Sequence, residues 1–203
     1  LIDGGFSYDR YLDWVIDAPM LFLRRGNTYV FPNMTFRAFL EKGYEDQPAL
    51  DSDLVDHLST MFPEVRVKRV IEIRSADSNG VAMTGALAAL MRGLLYDAVA
   101  LDELDQALPR LSPAAHRALH RDAQQFGLAA QIEDRLLADV ASEVVEIASR
   151  GLGRIDPGDV SLLQPLRAVA QSRKSPSVAV LEAFSKSRSP SDLLSRFEFS
   201  IDS

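Results

Sequence analysis

One run constrains this chain more than any other: Glu64-Val-Arg-Val-Lys-Arg-Val-Ile-Glu-Ile-Arg-Ser-Ala-Asp77. It is rich in β-branched residues and has no Gly or Pro after Pro63, so it reads as a strand. Side chains of a strand alternate between two faces. Odd positions carry Val65, Val67, Arg69, Ile71, Ile73 and Ser75. Even positions carry Glu64, Arg66, Lys68, Val70, Glu72, Arg74 and Ala76. One face is mostly apolar and the other holds Arg66, Lys68, Glu72 and Arg74. Two readings follow. Mixed charges are normal on the solvated face of an antiparallel sheet. Alternatively, the face is a sheet floor for anions and a metal. Arginine offers a planar fork that matches phosphate oxygens. A carboxylate two residues away lies about 6.5–7 Å along the same face, where it could hold Mg²⁺ that bridges phosphate oxygens. Phosphoryl transfer uses such a metal with a cationic clamp.

The rest of the chain divides by texture. Eleven of sixteen aromatics fall before residue 63. Residues 1–80 mix helix and strand signals, and 81–203 read as entirely helical. In the first part a helix is expected over 8–16, ended by Pro19. A hairpin is expected from Met20–Arg24 and Thr28–Phe31 around Arg25-Gly26-Asn27. Thr35 precedes a short helix over 36–41, and Asp51 or Ser52 can cap another over 53–61. In the second part Ser112-Pro113, Asp156-Pro157, Ser175-Pro176 and Ser189-Pro190 each place a capping side chain before a first-turn proline. Helices are expected near 82–106, 113–126, 129–151, 159–172, 176–186 and 190–196. Residues 83–101 are apolar nearly all round, which predicts a buried helix.

Composition removes several function classes. There is no cysteine, which excludes disulfides, thiolate metal sites and a catalytic thiol. Lys and Arg number 22 against 29 Asp and Glu, a net charge of −7. That balance disfavours a general nucleic-acid binder and an anionic membrane surface. No apolar run approaches the length of a membrane-spanning helix. The start, Leu-Ile-Asp-Gly-Gly, has no basic leader and no initiator Met, and reads as a fragment or processed piece of a cytoplasmic protein.

Other constellations carry little chemistry. His116 and His120 lie four apart on one helix face, but Arg-Ala-Leu between them lacks the metalloprotease Glu. Gly151-Leu-Gly153 follows a helix rather than a strand, and reads as a helix end and linker, not a dinucleotide fingerprint. No Gly-rich loop ends in Gly-Lys-Ser/Thr. His57, Ser59 and Asp56 share one short helix and point different ways.

The residues also carry a resemblance. His57-Leu-Ser-Thr-Met-Phe-Pro-Glu-Val-Arg-Val-Lys-Arg-Val-Ile-Glu-Ile-Arg-Ser-Ala-Asp77 resembles the signature run of the glutamate–cysteine ligase family of plants and proteobacteria. Tyr11-Leu-Asp-Trp-Val-Ile-Asp-Ala-Pro-Met-Leu-Phe22, Thr35-Phe-Arg-Ala-Phe39 and Gly93-Leu-Leu-Tyr-Asp97 are similar to further family segments. So are Glu143-Val-Val-Glu-Ile-Ala148 and Lys174-Ser-Pro-Ser-Val-Ala-Val-Leu-Glu182. Two departures stand out. Ser78-Asn-Gly-Val81 replaces the family's Gly-Gly-Pro-Trp, and Leu21 replaces a common Tyr.

The resemblance implies an α+β fold. Residues 1–80 would form the C-terminal part of a glutamine-synthetase-like antiparallel catalytic sheet, with three to four strands in this chain. Residues 81–203 would form a helical region packed on it. It implies an ATP- and Mg²⁺-dependent enzyme that joins glutamate and cysteine through a γ-glutamyl phosphate. Glu72 matches the family's metal-binding glutamate and Arg74 the arginine at the transferring phosphate. Arg66 and Lys68 match basic positions for ATP phosphates or substrate carboxylate. Family members are about twice this length or more, with paired glutamates in an N-terminal part. A fragment inactive alone is therefore expected, completed by the N-terminal half or a second copy. A relative using another amine, and a non-catalytic nucleotide- or amino-acid-binding scaffold, stay open as alternatives.

Overall fold

In the computed structural model, residues 6–77, 79–187 and 189–195 are described. The chain divides into two compact units, 1–77 and 78–203. The fold is mixed α+β, with helices predominating.

The first unit opens with helix α1, Tyr8–Asp17. The Ser7 hydroxyl accepts from the Arg10 amide at 3.2 Å, and Pro19 keeps Ala18 extended, so the helix stops there. Strands β1, Leu23–Arg25, and β2, Thr28–Val30, form an antiparallel hairpin. Its two-residue turn places Gly26 at φ +59°, a left-handed position that favours glycine. Helix α2, Phe36–Lys42, is capped by Thr35, whose hydroxyl accepts from the Ala38 amide at 3.2 Å. Met20, Leu23, Phe36 and Phe39 form the core of this part. Helix α3, Asp51–Thr60, begins two residues earlier than its sequence signals suggest. The residue before it is Leu50, which has no capping oxygen. Asp53 reaches back instead and accepts from the Leu50 amide at 2.8 Å.

The run after α3 is not one strand. It folds back on itself as β3, Val65–Val67, and β4, Ile71–Ile73. Lys68-Arg69-Val70 make the turn, closed by the Lys68 amide donating to the Val70 carbonyl at 3.0 Å. No Gly, Pro or Asn marks that reversal, so the sequence hides it. The expected sheet of three to four strands is also replaced. Among the described residues each hairpin stands as a separate two-stranded ribbon.

The second unit is built on helices α4, Val81–Leu95, and α7, Leu137–Ile155. The expected helix over 82–106 is two helices. Asp97 caps α5, Ala98–Ala107, by accepting from the Ala100 amide at 2.8 Å. The chain bends by 94° between them. Helix α4 is buried only along Ala86, Ala89, Gly93 and Leu94, not all round. Helix α6, Pro113–Phe126, matches its expected span, with Ser112 as the cap. The expectation of an entirely helical second part fails at a small hairpin, β5, Gln131–Ile132, with β6, Arg135–Leu136. Its turn puts Glu133 at φ +55° and so carries no glycine to betray it. Gly151 and Gly153 lie inside α7 and do not end it. A 3₁₀ stretch over Pro157–Leu163 then leads into α8, Gln164–Ser172. Helices α9, Pro176–Lys186, and α10, Pro190–Ser195, follow. Residue 196, the last of the expected helix over 190–196, lies outside the described residues. Ala89, Leu94, Ala100, Ile147, Ala148, Leu152 and Leu163 make the core of this unit.

Candidate functional site

The β3–β4 hairpin gathers the charged residues by its register. Arg66 pairs with Glu72, flanked by Val65 with Ile73 and Val67 with Ile71. This register pairs even positions with even positions, so parity still sorts the side chains onto two faces. Arg66, Lys68, Glu72 and Arg74 share a face as expected, although they occupy two strands and their ends. Two further bonds hold the ribbon. The Arg74 amide donates to the Glu64 carbonyl at 2.9 Å, and the Val67 amide donates to the Tyr11 hydroxyl of α1 at 3.1 Å. Tyr11 itself is buried.

The two faces lie the opposite way from the solvated-face reading. Val65 is 47% exposed and Ile71 66%, whereas Arg66 is 9% exposed. Arg66 turns back onto the C-terminal end of α3. Its Nη1 donates to the carbonyls of Ser59 at 2.9 Å and Met61 at 3.1 Å. Carbonyls at a helix end lack intrahelical partners and carry partial negative charge, so a guanidinium is a natural cap. The other edge of Arg66 meets Glu72, with Nε at 2.9 Å and Nη2 at 2.6 Å from Oε2. Four of the five donors of a guanidinium are thereby engaged. In this structure the fork of Arg66 is used inside the protein, on Glu72 and the end of α3.

Glu72 bridges two arginines. Oε2 takes Arg66, and Oε1 accepts from Arg74 Nη1 at 2.5 Å. These partners, Arg66 ahead of Arg74, hold the Glu72 carboxyl below its ordinary range despite the opposing effect of desolvation. Arg74 lies over the ring of Phe62, 5.1 Å from its centroid, with its side chain 28% exposed. Lys68 Nζ donates to the Ser59 hydroxyl at 3.0 Å, and that hydroxyl donates to the Val55 carbonyl at 2.8 Å. Arg66 and Arg74 thus both bond the Glu72 carboxylate, and Lys68 lies on Ser59 near the end of α3.

Magnesium was expected at Glu72. Among the described residues no group of three or more His, Asp or Glu could hold a metal ion. A carboxylate has about four lone-pair directions. Arg66 takes two on Oε2 and Arg74 one on Oε1, which leaves one on a side chain 37% exposed. Mg²⁺ is commonly held by one or two carboxylates with substrate phosphates and water rather than by a protein cage. The donor set fits a single-carboxylate contact to a nucleotide-borne Mg²⁺.

The histidines and their neighbours do other work. His57 is buried, with Nε2 2.8 Å from the Val15 carbonyl and its ring stacked on Phe36 at 4.7 Å. Asp56 pairs with Arg24 and Ser59 with Lys68, so the three do not converge. His120 Nε2 lies 3.0 Å from the Gln124 side-chain nitrogen. Sequence reasoning missed two residues that hold the site, Tyr11 and Ser59, and also the buried Asp53 at the other end of α3. Asp53 pairs with Arg25 Nη1 at 2.5 Å and Nη2 at 2.9 Å. The spacing of Ser59 from Arg66 offered no signal, because the meeting depends on the turn after Pro63.

Arginine and lysine around a bridged glutamate are groups that can meet carboxylate or phosphate oxygens. Comparison with known proteins supplies the family. The model of glutamate–cysteine ligase family 2 matches residues 1–168, and the chain belongs to that family. It is similar to the chloroplastic glutamate–cysteine ligase of Arabidopsis thaliana, at 34% identity over 188 residues, covering 91% of this chain and 36% of that protein. The Brassica juncea enzyme is 34% identical over 188 residues, with 91% and 37% covered. Chloroplastic glutamate–cysteine ligase A of Oryza sativa subsp. indica is 32% identical over 189 residues, with 91% and 38% covered. The chain thus spans little more than a third of the length of these relatives.

Proposed function

We propose that this chain forms part of an ATP-dependent ligase that makes γ-glutamylcysteine from glutamate and cysteine. The carrying observation is the Arg74–Glu72–Arg66 constellation on the hairpin, together with membership in the family. In the proposed reaction the γ-carboxylate oxygen of glutamate attacks the γ-phosphorus of ATP, and the bond to the β-bridging oxygen breaks, releasing ADP. The amine of cysteine then attacks the acyl carbon, loses a proton, and expels inorganic phosphate as the C–N bond forms.

Each step moves charge onto phosphate oxygens, and cationic side chains lower its cost most where water is scarce. Arg74 contacts the transferring phosphoryl group in this reading. The face of Phe62 and the Oε1 atom of Glu72 hold its guanidinium, so little reorganisation accompanies binding. Lys68, tethered through Ser59, supplies a second positive charge for nucleotide phosphate or substrate carboxylate. Glu72 would offer its remaining lone pair to Mg²⁺, which would neutralise phosphate charge when bound. The other ligands would come from outside the described residues.

The test is phosphate release by the full-length protein with ATP, Mg²⁺ and glutamate, with and without cysteine, alongside product analysis. Release that needs both amino acids, with γ-glutamylcysteine formed, supports the reading. Release with another amine instead moves the protein to a relative with a different acceptor, in keeping with Ser78-Asn-Gly-Val81 in place of the family turn. No release with any amine overturns the enzymatic reading in favour of a binding scaffold.

A further inference from the structure

Arg66 matches a basic position of the family's strand, yet the structure gives it no free edge. Its Nη1 is spent on the Ser59 and Met61 carbonyls, and Nε and Nη2 are spent on Glu72. At 9% exposure it offers no fork to a phosphate. Glu72 in turn gives its other oxygen to Arg74. The chain of contacts runs one way, from a fixed helix end, through a buried guanidinium and a carboxylate, to a half-exposed guanidinium. Each link removes rotational freedom from the next. Nε and Nη2 both hold the one atom Oε2, which pins that oxygen beside the end of α3 and leaves Oε1 to Arg74.

We infer that Arg66 is a positioning residue that anchors Glu72 to the end of α3, and through Glu72 orients Arg74, without itself touching nucleotide or amino acid. The inference deepens the ligase reading and rests on it for its kinetic consequence, but its geometric consequence is independent. Replacing Arg66 by Lys keeps a cation that can still cap one α3 carbonyl. It removes the two-donor grip on Oε2. Loss of such a supporting partner typically costs about 10–100-fold in activity.

The experiment uses the full-length protein with Arg66→Lys, Glu72→Gln and the double variant. We expect Arg66→Lys to unfold below the wild-type temperature, since three of the four donor contacts are lost, but to remain folded at the assay temperature. It should bind a non-hydrolysable ATP analogue within about 2-fold of wild type, and lose about 10–100-fold in kcat. In the Glu72→Gln background the same change should move kcat by less than about 2-fold, since Arg66 acts only through Glu72. Analogue binding weakened equally in both backgrounds would show direct phosphate contact and overturn the inference. A lowered unfolding temperature with unchanged kcat per folded molecule would overturn it in favour of a structural cap alone. A crystal structure of Arg66→Lys provides the readout that needs no turnover. Loss of the Glu72–Arg74 contact is expected, and its retention overturns the inference even if the wild-type protein proves to be no ligase.

Discussion

The backbone of Gly151 in α7 lies against the carbonyl oxygen of Gly93 in α4, and neither position has room for a Cβ. A Cβ at Gly151 would overlap the Gly93 carbonyl and press the Ala100 methyl. One at Gly93 would overlap the Ala148 carbonyl. The two helices therefore cross backbone to backbone, which brings Ala89, Ala148 and Leu152 into one core. Helix axes cannot approach this closely with larger side chains at the crossing.

Gly93→Ala and Gly151→Ala should each destabilise the protein by about 3 kcal/mol, since the overlapping atom is backbone and cannot swing aside. Gly85 in the same α4 helix is the control. Nothing lies within 4 Å of a Cβ there. Gly85→Ala should gain about 0.5–1 kcal/mol from helix propensity alone. Thermal unfolding of the three variants checks both signs. A neutral Gly151→Ala would mean that the crossing is looser than described.

A second prediction concerns the buried Asp53, which is 3% exposed. Arg25 meets both its oxygens and also reaches the Gln47 side chain at 2.7 Å and the Pro48 carbonyl at 3.2 Å. Arg24 meets Asp56 with its own side chain 46% exposed. Removing Arg25 strands a fully buried carboxylate, whereas removing Arg24 leaves Asp56, 23% exposed, within reach of water. Arg25→Ala should cost about 2–3 kcal/mol, discounted because the Arg25 side chain is 24% exposed. Arg24→Ala should cost under about 1 kcal/mol. Denaturant unfolding of the pair measures the difference, and equal costs would refute the burial argument.

Much of the local structure was legible because it rests on local chemistry. Gly26-Asn27 announced its hairpin, and Ser112-Pro113 placed the start of α6 to the residue. The misses share a cause. At Lys68-Arg69-Val70 and Glu133-Asp134 the chain reverses without glycine, so tertiary context overrides turn preference. At Asp97 a helix breaks inside an apolar run, and a single capping aspartate is the only mark. Gly151 read as a helix end because a sequence cannot distinguish a glycine needed for close approach from one needed for a left-handed turn. The site shows the same division. Parity placed four charged residues on one face, and survived the wrong strand assignment because the register pairs even with even. That Arg66 points inward depends on the end of α3, which no period along residues 64–77 encodes.

Asp97 supplies a pH prediction. The Arg154 guanidinium, at 2.7 and 3.0 Å, and then the Ala100 amide lower its carboxyl from an ordinary 3.8 to about 2. A carboxyl whose value is depressed on folding adds stability that is fully present above its unfolded value and lost as pH falls through its folded value. The contribution should therefore persist above about pH 4 and disappear between there and about pH 2. Asp97→Asn keeps a capping side chain but loses the charge. Its unfolding temperature should lie below wild type at pH 6, and the two should converge as pH approaches 2. A gap that stays constant with pH would show that the Arg154 pair contributes nothing.

Glu72 and Arg74 should separate in what their loss does to the fold and to turnover. Arg74 stands at the outer end of the contact chain, half-exposed over Phe62. Arg74→Ala frees one oxygen of Glu72 to water and leaves Arg66 still paired, so the unfolding temperature should change little. Under the ligase reading it removes the guanidinium at the developing phosphate charge, an effect on the order of 10³-fold in turnover. Glu72→Ala acts from the middle. It leaves the buried Arg66 guanidinium without its carboxylate and Arg74 without its guide, so it should lower both the unfolding temperature and the rate. It should also raise the Mg²⁺ concentration needed for half-maximal activity, which Arg74→Ala should leave nearly unchanged. Thermal unfolding and a Mg²⁺ titration of phosphate release in the full-length variants distinguish the two. If Arg74→Ala turned over normally, the phosphate role would fall. If Glu72→Ala kept the wild-type Mg²⁺ dependence, the lone pair left on Oε1 would have no metal to serve, and Glu72 would be a bridge between arginines and nothing more.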